Sequence, residues 1–242
     1  MVQDQKNVKQ RRSLVEYDRT ARVPTVPHGR DRVWEDPTGF GRNAGRLDPS
    51  KLSDLPAHWD RPPTMLFRPL DIPGLFLIEL ERMEDERGFF SRVFCTDTFL
   101  QHGLCTDYAQ WSVSFNKRCG TLRGLHFQAP PQEEIKLVSC TRGAVFDVAV
   151  DLRSGSPSRG KWAAVELSAD NRSMLYIPAG FAHGFQTLTD DAEVRYHISE
   201  RYRPEAARGV RWDDPDLAIA WPKSEERVIS SRDQTLPRLR DL

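Results

Sequence analysis

Residues Ala144 to Leu152 read AVFDVAVDL. In an extended chain Val145, Asp147, Ala149 and Asp151 share one face, and Phe146, Val148 and Val150 share the other. That is the alternation of a β-strand lying between two different environments. Working outward, MLFRPL, LFLIEL, GFFSRVF, KLVSCTR, WAAVELS, MLYIP and EVRYHI are equally short, and Gly, Pro, Asn, Asp or Ser clusters separate most of them. One short helical window, Thr96 to His102, stands among them. So many strands with tight turns predict an all-β fold. A jelly-roll, cupin-like β-barrel suits them best, because inward polar groups then have a mouth to sit in.

The 242 residues carry 35 Lys and Arg against 35 Asp and Glu. Balanced charge gives no bulk attraction to nucleic acid or to an acidic membrane. No apolar run approaches the ~18 residues of a membrane span, and the opening MVQDQKNVKQRR lacks the apolar core of a secretory signal. The expectation is a cytoplasmic protein. Cys95, Cys105, Cys119 and Cys140 form no CxxC pair, which fits reduced thiols. Residues 1–63 are rich in Arg, Asp and Pro, with no sustained period, and read as an irregular or partly disordered extension. Trp34, Phe40 and Trp59 offer it points of attachment. The domain proper is expected over 64–242.

The chemistry gathers in GTLRGLHFQ, Gly120 to Gln128. Strict alternation puts Gly124, His126 and Gln128 on one face, with Gly124 allowing close approach by a ligand or another backbone. An imidazole, whose ordinary pKa is ~6.5, is a suitable base near neutral pH. A hydrogen-bonded barrel-lining histidine is the plainer reading. Arg123 falls on the opposite face and joins the site only if Gly124 bulges the strand or the arginine reaches round the rim. Lys136 opens the next strand, sharing a face with Val138 and Cys140; pointed into a barrel mouth, it suits an enolate oxygen. Tyr196, in EVRYHI, shares a face with Val194 and Ile198 and offers an acid opposite His126. Asp213 and Asp214 follow Trp212; either a turn or a partner that fixes the tautomer of His126 suits Asp214. PAGFAHGF contains the PxGxxH of cupin barrels, making His183 a candidate metal ligand. The first-half HxH of such sites is missing, however, so no metal is expected.

Taken together, DERGFF, LRGLHFQ, KLVxCxxGxxFDVAVDLRxxSP, PxGFAHGF, WxDPxLxIxWP and SSRDQTLPRL resemble the dTDP-4-dehydrorhamnose 3,5-epimerase family over Leu66 to Leu239. The resemblance implies a cupin jelly roll, a homodimer with exchanged strands, and no metal or organic cofactor. It also implies a nucleotide-linked 4-keto-6-deoxy sugar as substrate. His126 then matches the base, Asp214 its orienting partner, Lys136 the group facing the keto oxygen, and Tyr196 the acid on the other face. Arg87 and Phe89 resemble nucleotide contacts from a partner subunit, and Arg123 a diphosphate contact. Gln128 and His183 join the substrate-binding set.

The chain departs from the family in four places. Ser112 and Asn116 stand where an asparagine is common, beside a one-residue insertion. Arg92 replaces a glutamate, Arg201 replaces an aromatic before Tyr202, and the N-terminal extension has no counterpart. A sugar-nucleotide ketoisomerase and a non-catalytic sugar-nucleotide-binding barrel remain alternative readings.

Overall fold

Alternating apolar and polar residues commit a strand to a sheet with a defined inner face, and here they build two large sheets beside a small two-stranded one. The computed structural model describes residues 64–242, so the expected extension over residues 1–63 lies outside the described residues. In chain order the strands are β1 (Met65–Pro69), β2 (Phe76–Leu80), β3 (Met83–Asp85) and β4 (Gly88–Phe90). After helix α1 (Thr96–Gln101) come β5 (Gln110–Asn116), β6 (Thr121–Gln128), β7 (Lys136–Arg142), β8 (Ala144–Asp151) and β9 (Trp162–Ser168). They are followed by β10 (Met174–Ile177), β11 (Phe181–Thr187), β12 (Ala192–Ile198), β13 (Ala207–Gly209) and β14 (Val228–Ile229), with helix α2 (Ser231–Gln234) near the end. Among the described residues no helix is long and apolar enough to cross a membrane, and all four cysteines are free.

One sheet runs β1-β2-β10-β7-β12-β5 and the other β13-β6-β11-β8-β9, with β14 alongside β6. Every pairing is antiparallel except that of β14 with β6. Val138, Cys140, Leu175, Ile177 and Val194 of the first sheet pack with Val145, Ala149, Leu167, Phe181 and Phe185 of the second, which puts the main core between them. The outward face of the first sheet lies under Phe99 of α1 and Leu104. That of the second is covered by the C-terminal segment through Leu217, Ile219, Trp221 and Leu239. The two sheets do not join into a closed ring of paired strands.

The alternation read in β8 is present: Val145 and Ala149 face the main core, while Phe146, Val148 and Val150 face the C-terminal cover. Three elements differ from the pattern. GFFSRVF is a strand only over Gly88–Phe90, paired with β3 in a hairpin. Beyond it, Phe94 turns toward Phe99 and Tyr108 rather than along a ladder, with ring centroids at 4.8 and 6.0 Å. β11 carries no alternation because all seven of its residues are buried in mid-sheet. β5 is inverted: its apolar Trp111, Val113 and Phe115 are exposed, whereas Asn116 is buried.

Candidate active site

A cleft of about 690 Å³ opens between the sheets. His126, Arg123, His183 and Asp233 line it from the second sheet and α2, and Lys136 and Tyr196 line it from the first.

The base side depends on one irregularity in β6. His126 pairs with His183 and Arg123 with Phe185, so three steps along β6 match two along β11. That extra residue is a bulge, and it brings Arg123 and His126 to the same face, which strict alternation forbids. Glycine is required at the point of closest approach. A Cβ on Gly124, whose φ is +127°, would lie 2.5 Å from the Cα of Gly184; one on Gly184 would lie 2.7 Å from the carbonyl oxygen of Arg123. Leu125, the displaced residue, packs outward against Val148 and Val210. Arg123 is aimed from the other sheet, by β5: its Nε donates to Oδ1 of Asn116 at 2.7 Å, while Asn116 itself donates to the carbonyl of Ala192 at 3.2 Å.

The carboxylate that holds His126 is Asp233, not Asp214. His126 Nε2 lies 2.8 Å from Asp233 Oδ1, and the Gly124 N–H donates to Oδ2 at 3.1 Å. The imidazole stays open to the cleft while Asp233 is buried behind it. Burial alone would push the Asp233 carboxyl up. The bond to His126, its charge, the Gly124 N–H and Ser230 outweigh that and hold it below the usual carboxylate range. Asp214 is buried as well, but its oxygens accept the N–H groups of Asp216 and Leu239 at 2.9 and 2.6 Å. It closes the turn that Asp-Pro favours and anchors the C-terminal segment, and its oxygens meet backbone N–H groups where Asp233 meets the imidazole.

The short helix that carries Asp233 was within reach of sequence reasoning, though the pairing with His126 was not. Ser230 caps α2 by accepting the Asp233 N–H at 3.1 Å. Serine followed three residues later by an acid is the signature of a helix start, and SSRDQTLPRL displays it. Arg232, on the same short helix, lines the cleft beside it and adds a second cation to Arg123.

On the opposite wall Tyr196 stands edge-on to His183, with ring centroids 5.9 Å apart. Burial pushes its phenol far above the ordinary range, and the charge of Asp147 adds to this. Arg123 and a hydrogen bond with Ser114 offset it only in part. The phenol is therefore protonated at neutral pH. His183 is 4 % exposed, and its Nε2 lies 2.9 and 3.0 Å from the two oxygens of Asp147, which fixes the ring. Among the described residues, no three His, Cys, Asp or Glu side chains gather as metal ligands would. Lys136 Nζ donates to the His126 carbonyl at 3.2 Å and pairs with Glu134 at 2.9 Å.

Three expected contacts lie elsewhere in this chain. Gln128 is buried, and its amide serves the backbone: Nε2 donates to the carbonyls of Gln132 and Arg201, and Oε1 accepts the Arg203 N–H. A side chain so committed does not line the cleft. Arg87 and Phe89 sit on the β3–β4 hairpin and do not line it either. Arg87 is paired with Asp85 at 3.1 Å. The guanidinium groups of Arg82 and Arg172 lie 5.1 and 5.6 Å from the centroid of the Phe89 ring.

The family model for dTDP-4-dehydrorhamnose 3,5-epimerase matches residues 69–241. A protein of that name from Sinorhizobium fredii is 46% identical over 178 residues, 74% of this chain and 91% of the relative. The crystal structure of dTDP-4-dehydrorhamnose 3,5-epimerase from Elizabethkingia anophelis superposes with a TM-score of 0.71 at 38% identity, covering 73% of this chain and 97% of that one. The dTDP-6-deoxy-D-glucose-3,5-epimerase of Legionella pneumophila, solved with dTDP-4-keto-L-rhamnose, gives 0.70 at 39% identity, covering 73% and 94%. With matches of this extent, the chain belongs to the dTDP-4-dehydrorhamnose 3,5-epimerase family.

Proposed function

We propose that this protein epimerises a dTDP-linked 4-keto-6-deoxy sugar at C3, C5 or both, through an enolate. The observation that carries the reading is the placing of a carboxylate-held imidazole and a protonated phenol on opposite walls of one cleft. The C4 ketone acidifies the protons on both neighbouring carbons. His126 takes one of them, and Asp233 stabilises the imidazolium that forms. An N–H of Lys136 donates to the enolate oxygen, an interaction worth about 3 kcal/mol. Tyr196 returns a proton to the opposite face and so inverts the centre. The tyrosinate is then reprotonated, and the imidazolium loses its proton to solvent. General base assistance supplies roughly 10²–10⁴-fold of the acceleration. Arg123 and Arg232 suit the diphosphate, and His183 with Asp147 supports the ring from the side.

The strands form a jelly roll of the cupin type, and the working unit is a homodimer with exchanged strands. Two features favour this assembly. Trp111, Val113 and Phe115 form an exposed apolar row on an edge strand. Arg87 and Phe89 lie outside their own cleft on a projecting hairpin, where they suit the nucleotide of a second copy.

Incubation with dTDP-4-keto-6-deoxyglucose in heavy water, followed by NMR, is the test. Solvent deuterium enters at one or both carbons flanking the ketone, with inversion. Absence of exchange at both carbons would sink the reading. Tyr196→Phe separates the two half-reactions: exchange continues from the His126 side, while inverted product falls by about 10²-fold or more.

A further inference from the structure

Among the described residues two carboxylates line the cleft, Asp233 and Glu134. A cleft that takes a nucleotide diphosphate gains nothing from negative charge, so each carboxylate calls for a reason. Asp233 has one in His126. Glu134 lies on the same face of the chain as Lys136, two residues before it, and the pair is 2.9 Å apart with side chains only 10 and 9 % exposed. Its position is fixed by the pairing of the next residue, Ile135, with Ser199. The Ile135 N–H donates to the Ser199 hydroxyl at 2.9 Å, and Ile135 O accepts the Ser199 N–H at 3.0 Å, extending the β7–β12 ladder by one residue.

An ammonium has three N–H donors and no acceptor. At Lys136 one points to the His126 carbonyl at 3.2 Å and one to Glu134, which leaves a single N–H for the cleft. The first of these bonds ties the lysine to the strand of the base; the second sets its rotation and reach. We propose that Glu134 is a positioning residue for the epimerisation, holding Lys136 so that its third N–H meets the enolate oxygen. The proposal rests on the epimerase reading. Its chemistry is a matter of geometry: a donor misplaced by about 1 Å loses on the order of 10²-fold in rate.

The test compares Glu134→Ala and Glu134→Gln with the wild-type chain. In the alanine variant kcat for deuterium exchange falls about 10–100-fold, whereas calorimetric binding of dTDP is unchanged or tighter, since a negative charge has left the cleft. The glutamine variant keeps an acceptor for Lys136 and recovers most of the rate, which also answers the concern that a buried charge left unpaired by alanine harms folding. A separate readout needs no turnover: modification of Lys136 by acetic anhydride, followed by mass spectrometry, speeds up severalfold in the alanine variant as the amine is released. Wild-type rates and labelling in the alanine variant would overturn the proposal, and so would equal loss in both variants with dTDP binding weakened in parallel. If the wild-type chain itself exchanges nothing, the epimerase reading fails, and the labelling comparison still decides whether Glu134 tethers Lys136.

Discussion

Asp233 and Asp214 are both buried aspartates near the C-terminal end of the chain, and only their hydrogen bonds tell them apart. Asp233 spends one oxygen on an imidazole and one on the Gly124 N–H; Asp214 spends both on backbone. The two substitutions should therefore fail in different ways. Asp233→Asn lowers kcat per folded molecule by about 10²–10⁴-fold, because the amide neither selects the tautomer nor stabilises the imidazolium. Asp214→Asn leaves kcat per folded molecule near wild type and costs roughly 1–3 kcal/mol of stability. Steady-state kinetics beside thermal unfolding of both variants checks the assignment, and the reverse pattern would restore Asp214 as the partner. At this scale the sequence was legible in residue type more than in pairing. His126, Lys136, Tyr196 and His183 stand out as chemistry-bearing side chains in or beside strands. The choice of carboxylate depends on which loop returns to β6, and spacing along the chain does not encode that.

Elements carry a second kind of information. Strict period-2 counting places Arg123 away from His126, and the bulge at Gly124 reverses this by adding one residue. Glycine in a strand is a recognisable hint of such a bulge, so the exception was foreseeable as a conditional. The close contact of Gly124 with Gly184 was not, because it joins two strands distant in sequence. Gly124→Ala is expected to cost on the order of 3 kcal/mol or more, from a Cβ driven into backbone and from a positive φ. For a chain of this size that lowers the melting temperature by roughly 10 °C. A variant melting within a degree or two of wild type would show that the strands can part there cheaply. β5 illustrates the opposite difficulty. Its polar residues line the cleft and its apolar ones face outward, so an inside-out strand escapes a search for buried apolar faces.

For the whole molecule, composition and strand count made the all-β class legible, while the layering of two sheets with a core between them emerged only in three dimensions. The outward row on β5 bears on assembly. Trp111 is 75% exposed, with Val113 and Phe115 beside it on alternate positions. Light scattering should give twice the 27.8 kDa chain mass, and Trp111→Glu should shift the distribution toward single chains; a wild-type monomer at micromolar concentration contradicts the dimer. Acid stability follows from carboxylates held low. Burial alone would raise the Asp151 carboxyl. The Arg153 guanidinium, the hydroxyls of Ser158 and Ser156 and the Arg153 N–H more than offset it and hold the group well below the usual range. Asp233 is depressed too. A carboxyl whose folded pKa lies below its unfolded value of ~3.9 contributes fully above that pH and progressively less as pH falls toward the folded value. Denaturant midpoints should thus hold steady above about pH 5 and decline below about pH 4, and the decline should be shallower in Asp151→Asn measured against its own neutral-pH midpoint. Finally, the proton acceptor and the proton donor belong to different sheets, so the gap between the layers acts as a gauge for the thickness of the sugar. Any change that fattens the packing beneath the cleft would spread these jaws, and the enzyme would go on scrambling isotope long after it had forgotten how to turn the sugar over.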